Sequence, residues 1–120
     1  MKKVLILGAG MVVKPIVQNL LQNEIFVTIA SPTKSKADSM IDGHHLGKSL
    51  YWTASDEETL EKLILENDLT VSLLPYSFHV MVANYCIKHK RNMLTTSYVQ
   101  AEMQRLEDRK ENEPVLHSSL

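Results

Sequence analysis

The sequence predicts an α/β domain, a doubly wound parallel sheet with helices on both faces. Three observations carry this. Short apolar runs (Val4 to Leu7, Ile25 to Ala30, Leu50 to Trp52, Leu69 to Leu74, Met93 to Thr96) alternate with stretches whose apolar residues repeat at three- and four-residue spacing. The run Ile25 to Ala30 is mostly apolar, as befits a strand buried on both faces. The first run breaks at Gly8 and Gly10 and resumes as a helical stripe, so that strand, tight turn and helix follow directly on one another. Right-handed crossovers between such units give a five-stranded sheet of order 3-2-1-4-5, and the pair Val115 and Leu116 could add a short sixth strand at the edge. With 120 residues and 44% hydrophobic content, the chain has material for one core.

The turn Gly8-Ala9-Gly10-Met11-Val12 is the phosphate-binding element of a Rossmann-type dinucleotide site. Its first glycine supplies a backbone conformation that other residues resist, and its second lets a ligand approach the main chain. The free N–H groups of the helix that follows, with the helix dipole, favour an anion, and a pyrophosphate is the expected guest. The third glycine of G-x-G-x-x-G is replaced by Val13, so the helix is expected to stand slightly further from the sheet. The alternative is a tight connection with no ligand.

Along the first helix, Val13, Ile16, Val17, Leu20 and Leu21 share one face, Pro15 sits near the start, and Asn23 marks the stop. The second strand ends in Ser31, Pro32 and Thr33. An acidic residue there, ~20 residues after the glycine turn, would bind the adenosine ribose and repel a 2′-phosphate. None is present, and Lys34 and Lys36 follow, which favours NADP over NAD; in the alternative reading the two lysines merely open a solvated helix. Ser35 is the expected cap of a short helix through Met40 and Ile41. Asp42 to Gly47 is turn chemistry, and Ser55-Asp56-Glu57-Glu58 reads as a capping box before a helix with Leu60, Leu63 and Ile64 on its buried face.

Pro75 stops the fourth strand, and Tyr76-Ser77 leads into a helix whose expected face is Phe78, Met81, Val82, Tyr85, Cys86 and His89. Cys86 belongs to that core stripe and is expected to be inert, whereas His79, near the helix start, could reach a ligand or bond across the turn. After the fifth strand, Ser97-Tyr98-Val99-Gln100 opens a charged outer helix with Val99, Met103 and Leu106 as a thin stripe. In this topology ligands bind outside the carboxyl ends of strands one and four, which sets Gly8 to Val12 opposite Leu74, Pro75 and Tyr76, with Thr96, Ser97 and Tyr98 nearby.

Composition excludes several other roles. A net charge of −1 provides no global basic field for nucleic acid or an anionic membrane. A single cysteine rules out an internal disulfide framework and suits a reducing cytoplasm. No run approaches the ~20 apolar residues that span a bilayer, and Met1-Lys2-Lys3 precedes too short an apolar stretch for a signal peptide. The adjacent His44 and His45 lack partners at metal-site spacing, so no metal is expected. The acids Asp56, Glu57, Glu58 and Glu61 suit a first helical turn better than a catalytic group.

Two longer stretches identify a family. Val71-Ser72-Leu73-Leu74-Pro75-Tyr76-Ser77-Phe78-His79 and Asn92-Met93-Leu94-Thr95-Thr96-Ser97-Tyr98-Val99, in that order after Gly8-Ala9-Gly10 and Lys14-Pro15, resemble the nucleotide-binding domain of saccharopine dehydrogenases, especially the glutamate-forming reductase type. The resemblance runs from about Lys3 to about Arg109. It implies an NADP- or NAD-linked oxidoreductase of lysine metabolism that joins glutamate and aminoadipate semialdehyde through an imine reduced by nicotinamide hydride. It further implies that Pro75 and Tyr76 flank the nicotinamide half, with Ser97 and Tyr98 approaching the substrate. Where the family has an arginine at the end of strand two, this chain has Pro32. The family's substrate-binding segment lies beyond the position of Leu120.

Residues 1–111 are therefore expected to form the dinucleotide-binding domain and 112–120 a tail. Hydride transfer needs the acceptor held at ~3 to 3.5 Å by groups that also exclude water, and such a wall requires a second domain. The expected function is the coenzyme domain of a saccharopine dehydrogenase-like oxidoreductase, not catalytic alone. The alternatives are a free-standing dinucleotide-binding regulatory module and a degenerate domain that only forms a homodimer.

Overall fold

The computed structural model describes residues 2–10 and 13–95. Its elements are β1 (Lys3–Leu7), α1 (Val13–Gln22), β2 (Phe26–Ser31), α2 (Lys34–Ile41), β3 (Gly47–Tyr51), α3 (Glu57–Glu66), β4 (Leu69–Ser72), a 3-10 turn (Tyr76–Phe78), α4 (His79–Lys88) and β5 (Asn92–Thr95). The strands form one parallel sheet in the order β3-β2-β1-β4-β5, as expected. The expected helix from Ser97 and the sixth strand at Val115 and Leu116 lie outside the described residues.

Successive side chains of a strand point to opposite faces, and both faces are buried here. On one face Val4, Ile6, Val27, Ile29 and Val71 meet Val13, Val17 and Leu21 of α1 and Ala37, Met40 and Ile41 of α2. On the other, Leu5, Leu7 and Ala30 meet Trp52, the α3 residues Leu60, Leu63 and Ile64, and Val82 and Cys86 of α4. The sheet is thus doubly wound. Each fully buried aliphatic side chain contributes about 1.5–3 kcal/mol, which is why the near-continuous apolar runs become the central strands.

Several local expectations change. The cap of α2 is Thr33, not Ser35, which falls inside the helix, and the Thr33 side chain makes no capping hydrogen bond. At α3 the cap is Asp56, one residue past Ser55, and its carboxylate accepts the Thr59 N–H at 3.1 Å. The acid wins because a charged acceptor at a helix start makes the stronger bond and suits the dipole. The third strand is Gly47–Tyr51, so Trp52 lies beyond it, and β4 ends at Ser72 although Leu73 still donates its N–H to the Leu7 carbonyl at 2.9 Å. Phe78 sits on the 3-10 turn and is exposed, while His79 takes the buried place at the start of α4.

The acids on α3 hold α4 in place. Glu61 accepts from Lys88 Nζ at 2.8 Å and His89 Nε2 at 2.7 Å, and Glu57 accepts from the Tyr85 hydroxyl at 3.0 Å. Lys88, and then His89, hold the Glu61 carboxyl below its ordinary value of 4.5, while the same contact with Glu61 raises Lys88 above 10.5. A depressed carboxyl pKa gives stability that is present above the unfolded-state value and lost as pH falls through the folded one; the raised lysine does the reverse at high pH. Glu61→Gln is therefore expected to lower the melting temperature at pH 7, with the difference from the parent shrinking as pH falls below 4.5. Calorimetric melts of both proteins from pH 3 to pH 7 check this, and a difference independent of pH would refute it.

Candidate functional site

The register sets Leu7 beside Ala30 of β2 on one side and Ser72 of β4 on the other, so the exits of these three strands open together. The chain reverses at Gly8, which has φ +105° and donates its N–H to the Ala30 carbonyl at 2.9 Å. A Cβ at this residue would lie 3.4 Å from the Leu73 carbonyl oxygen, in ordinary contact, so it is the positive φ that the glycine permits. Gly10 is different. A Cβ there would meet nothing within 4 Å among the described residues, and its carbonyl accepts the Val13 N–H at 3.0 Å as α1 begins. Among the described residues the second glycine therefore faces open space beside a helix start, the geometry an incoming pyrophosphate needs.

Val13, in the third-glycine position, is fully buried between α1 and the sheet. Ala9 packs partly against the same core, while Met11 and Val12 lie outside the described residues.

On the β2 side, Ser31 is buried and its hydroxyl accepts the Thr33 N–H at 3.0 Å, while its carbonyl accepts the Trp52 N–H at 3.1 Å. These bonds fix the turn that leads into α2. No acidic residue lies in the first turn of α2, where Lys34 and Lys36 are both exposed. They differ in engagement: Lys34 Nζ pairs with Asp38 at 3.2 Å, whereas Lys36 makes no ion pair among the described residues. The Lys34–Asp38 pair was missed at the sequence level, although a Lys and an Asp four residues apart on a helix are its signature.

On the β4 side, Leu74 packs into the α3/α4 core, while Pro75 and Tyr76 stand exposed, Tyr76 at 78%. His79 lies edge-on to Tyr76, with ring centroids 5.7 Å apart. Its Nε2 is buried without a hydrogen-bond partner among the described residues. A small cavity of about 240 Å³ between α4 and β5 is lined by these two rings with Val80, Ala83, Met93 and Thr95. The expected site residues Thr96, Ser97 and Tyr98 lie outside the described residues.

Cys86 is buried in the core stripe, as expected, and burial pushes its thiol pKa up, which favours the protonated form. His44 and His45 stack with centroids 4.8 Å apart beside a cavity of about 600 Å³ at the opposite end of the strands. Among the described residues no three His, Cys, Asp or Glu side chains are grouped to hold a metal, and no helix is long and apolar enough to cross a membrane.

The saccharopine dehydrogenase NADP binding domain matches residues 4–116. This chain belongs to that family. It is 40% identical over 109 residues to a saccharopine dehydrogenase [NADP(+), L-glutamate-forming] of Schizosaccharomyces pombe, covering 90% of this chain and 24% of the relative. It is 36% identical over 107 residues to the mitochondrial alpha-aminoadipic semialdehyde synthase of Bos taurus, covering 88% of this chain and 12% of that protein. Among solved structures, the apo histidine-tagged L-Glu-forming saccharopine dehydrogenase of Saccharomyces cerevisiae superimposes with a TM-score of 0.74 at 33% identity, over 82% of this chain and 22% of that one. The chain thus spans about a quarter or less of the relatives it matches. The open face of Gly10 and the acid-free start of α2 fit NADP.

Proposed function

We propose that this chain is the coenzyme half of a saccharopine dehydrogenase-like oxidoreductase, acting on the imine formed from glutamate and aminoadipate semialdehyde once a second domain holds that substrate. The observation that carries the reading is the open face of Gly10 at the start of α1, placed beside the joined exits of β1 and β4. Bound NADP supplies the hydride chemistry; the residues of this chain bind and orient it. Gly8, Ala9, Gly10, Met11 and Val12 cradle the pyrophosphate. Ser31, Thr33, Lys34 and Lys36 surround the adenosine 2′-phosphate. Leu74, Pro75 and Tyr76 border the nicotinamide half with Thr96 and Ser97, and Tyr98 approaches the substrate. The family resemblance supports these placements, as do the β4 exit beside the turn and the position of Thr95 next to Ser72 in the register. The lone buried cysteine fits a reducing compartment such as the cytoplasm.

The 120-residue chain is expected to bind NADPH about tenfold or more tightly than NADH, since a charge-assisted contact is worth about 1.5–3 kcal/mol. It is expected to form no NADPH from saccharopine unaided. Calorimetric titration suits the binding measurement, because Trp52 is buried in the core and its fluorescence reports packing. Absence of binding by either coenzyme, or robust saccharopine turnover by this chain alone, would overturn the proposal.

A further inference from the structure

The two lysines at the start of α2 are not equivalent. Lys34, the first residue of the helix, reaches forward one turn to the Asp38 carboxylate at 3.2 Å. Asp38 is held in turn by the hydroxyl of Ser49 on the neighbouring strand β3. The Ser49 bond, and then Lys34, keep the Asp38 carboxyl below its ordinary range, so it is charged at neutral pH. Side chains on a helix tilt towards its N-terminus, and an unengaged Lys34 would extend to the β2 exit, where the adenosine 2′-phosphate belongs. Asp38 instead draws the ammonium back along the helix.

We propose that Asp38 determines coenzyme specificity: anchored by Ser49, it competes with the 2′-phosphate for Lys34 and so weakens the preference for NADP over NAD. This rests on the coenzyme reading given above. Lys34 and Asp38 are about half exposed, at 54% and 51%, and such pairs contribute little in water. Binding a 2′-phosphate through Lys34 must first break that pair, which corresponds to about a two- to fivefold loss in affinity. NAD has no phosphate at this position and does not incur the loss. Lys36, with no ion pair among the described residues, is the readily available cation.

The test uses 2′,5′-ADP and 5′-AMP as probes, titrated calorimetrically at low ionic strength, where surface charges are least screened. Parent chain, Asp38→Asn, Lys34→Ala and the double variant are compared. Asp38→Asn is expected to tighten 2′,5′-ADP about two- to fivefold, to leave 5′-AMP unchanged, and to bring no gain when Lys34 is already alanine. Ser49→Ala, which loosens Asp38 without altering charge, is expected to move affinity in the same direction, and guards against a folding defect in Asp38→Asn. A gain that persists without Lys34 would show simple charge repulsion and overturn the assignment, as would an equal gain for 5′-AMP or no gain in either variant. If the parent binds neither NADPH nor 2′,5′-ADP, the coenzyme reading itself fails and takes this proposal with it. If the parent binds both, only the role of Asp38 is at stake.

Discussion

Gly10→Ala is expected to fold as the parent does and to lose about tenfold or more in affinity for NADPH. The two halves of this expectation have separate causes. A Cβ on Gly10 meets nothing within 4 Å among the described residues, and Gly10 is not among those with positive φ, so alanine is expected to fit without strain. Reduced freedom of the unfolded chain can even add about 0.4–1 kcal/mol of stability. The same methyl group, however, occupies the space through which a pyrophosphate would reach the N–H groups of α1. Losing one or two charge-assisted hydrogen bonds at about 1.5–3 kcal/mol each gives the stated loss.

The same change two residues earlier behaves differently. Gly8 holds φ +105°, and an added Cβ would lie 3.4 Å from the Leu73 carbonyl oxygen. Gly8→Ala should therefore cost about 1–3 kcal/mol of stability through backbone strain. Calorimetric binding and urea unfolding of both variants separate the cases. Unchanged NADPH affinity in Gly10→Ala would remove the turn from the site.

The sheet order was legible because each strand is a short apolar run followed by a helical stripe, and handedness leaves few ways to join such units. Helix starts were less so. At Ser55 and Asp56 neighbouring residues can both serve as caps, and the choice depends on bond geometry that a one-residue shift reverses, whereas α2 begins at Thr33 without a side-chain capping bond. Trp52 reads as a strand residue from its neighbours, yet it lies just past β3, where its Nε1 donates to the Asp56 carbonyl at the start of α3. Glu24, Asp42 and Lys90 adopt positive φ in turns where no glycine at those positions announces it.

The glycine turn itself was legible, but its contact with Leu73 was not. That contact joins residues far apart in sequence, and it follows from strand order rather than from any local pattern. Likewise the spacing of Lys34 and Asp38 allows an ion pair, but only the packing of α2 beside β3 brings Ser49 to anchor it. The residues that face a ligand were thus easier to read than those that decide how freely they do so.

Trp52→Ala carries the largest expected loss of stability, about 3–5 kcal/mol. The indole is 2% exposed and fills the face of the sheet shared by Leu5, Leu7 and Ala30 with α3 and α4. Its Nε1 donates to the Asp56 carbonyl at 2.9 Å, tying the connection after β3 to the start of α3. Its backbone N–H donates to the Ser31 carbonyl at 3.1 Å, which is independent of side chain. Truncation therefore leaves a cavity between sheet and helices without directly cutting the link to β2. Domains of this size have only about 5–15 kcal/mol to lose, so the variant should sit close to unfolding. Trp52→Phe keeps most of the volume and removes the N–H, and should cost much less, with the lost hydrogen bond contributing about 0.5–1.5 kcal/mol. Urea unfolding followed by far-UV circular dichroism measures both. A loss below about 1 kcal/mol in Trp52→Ala would mean that the core closes over the missing ring, and that Trp52 does not join α3 to the sheet.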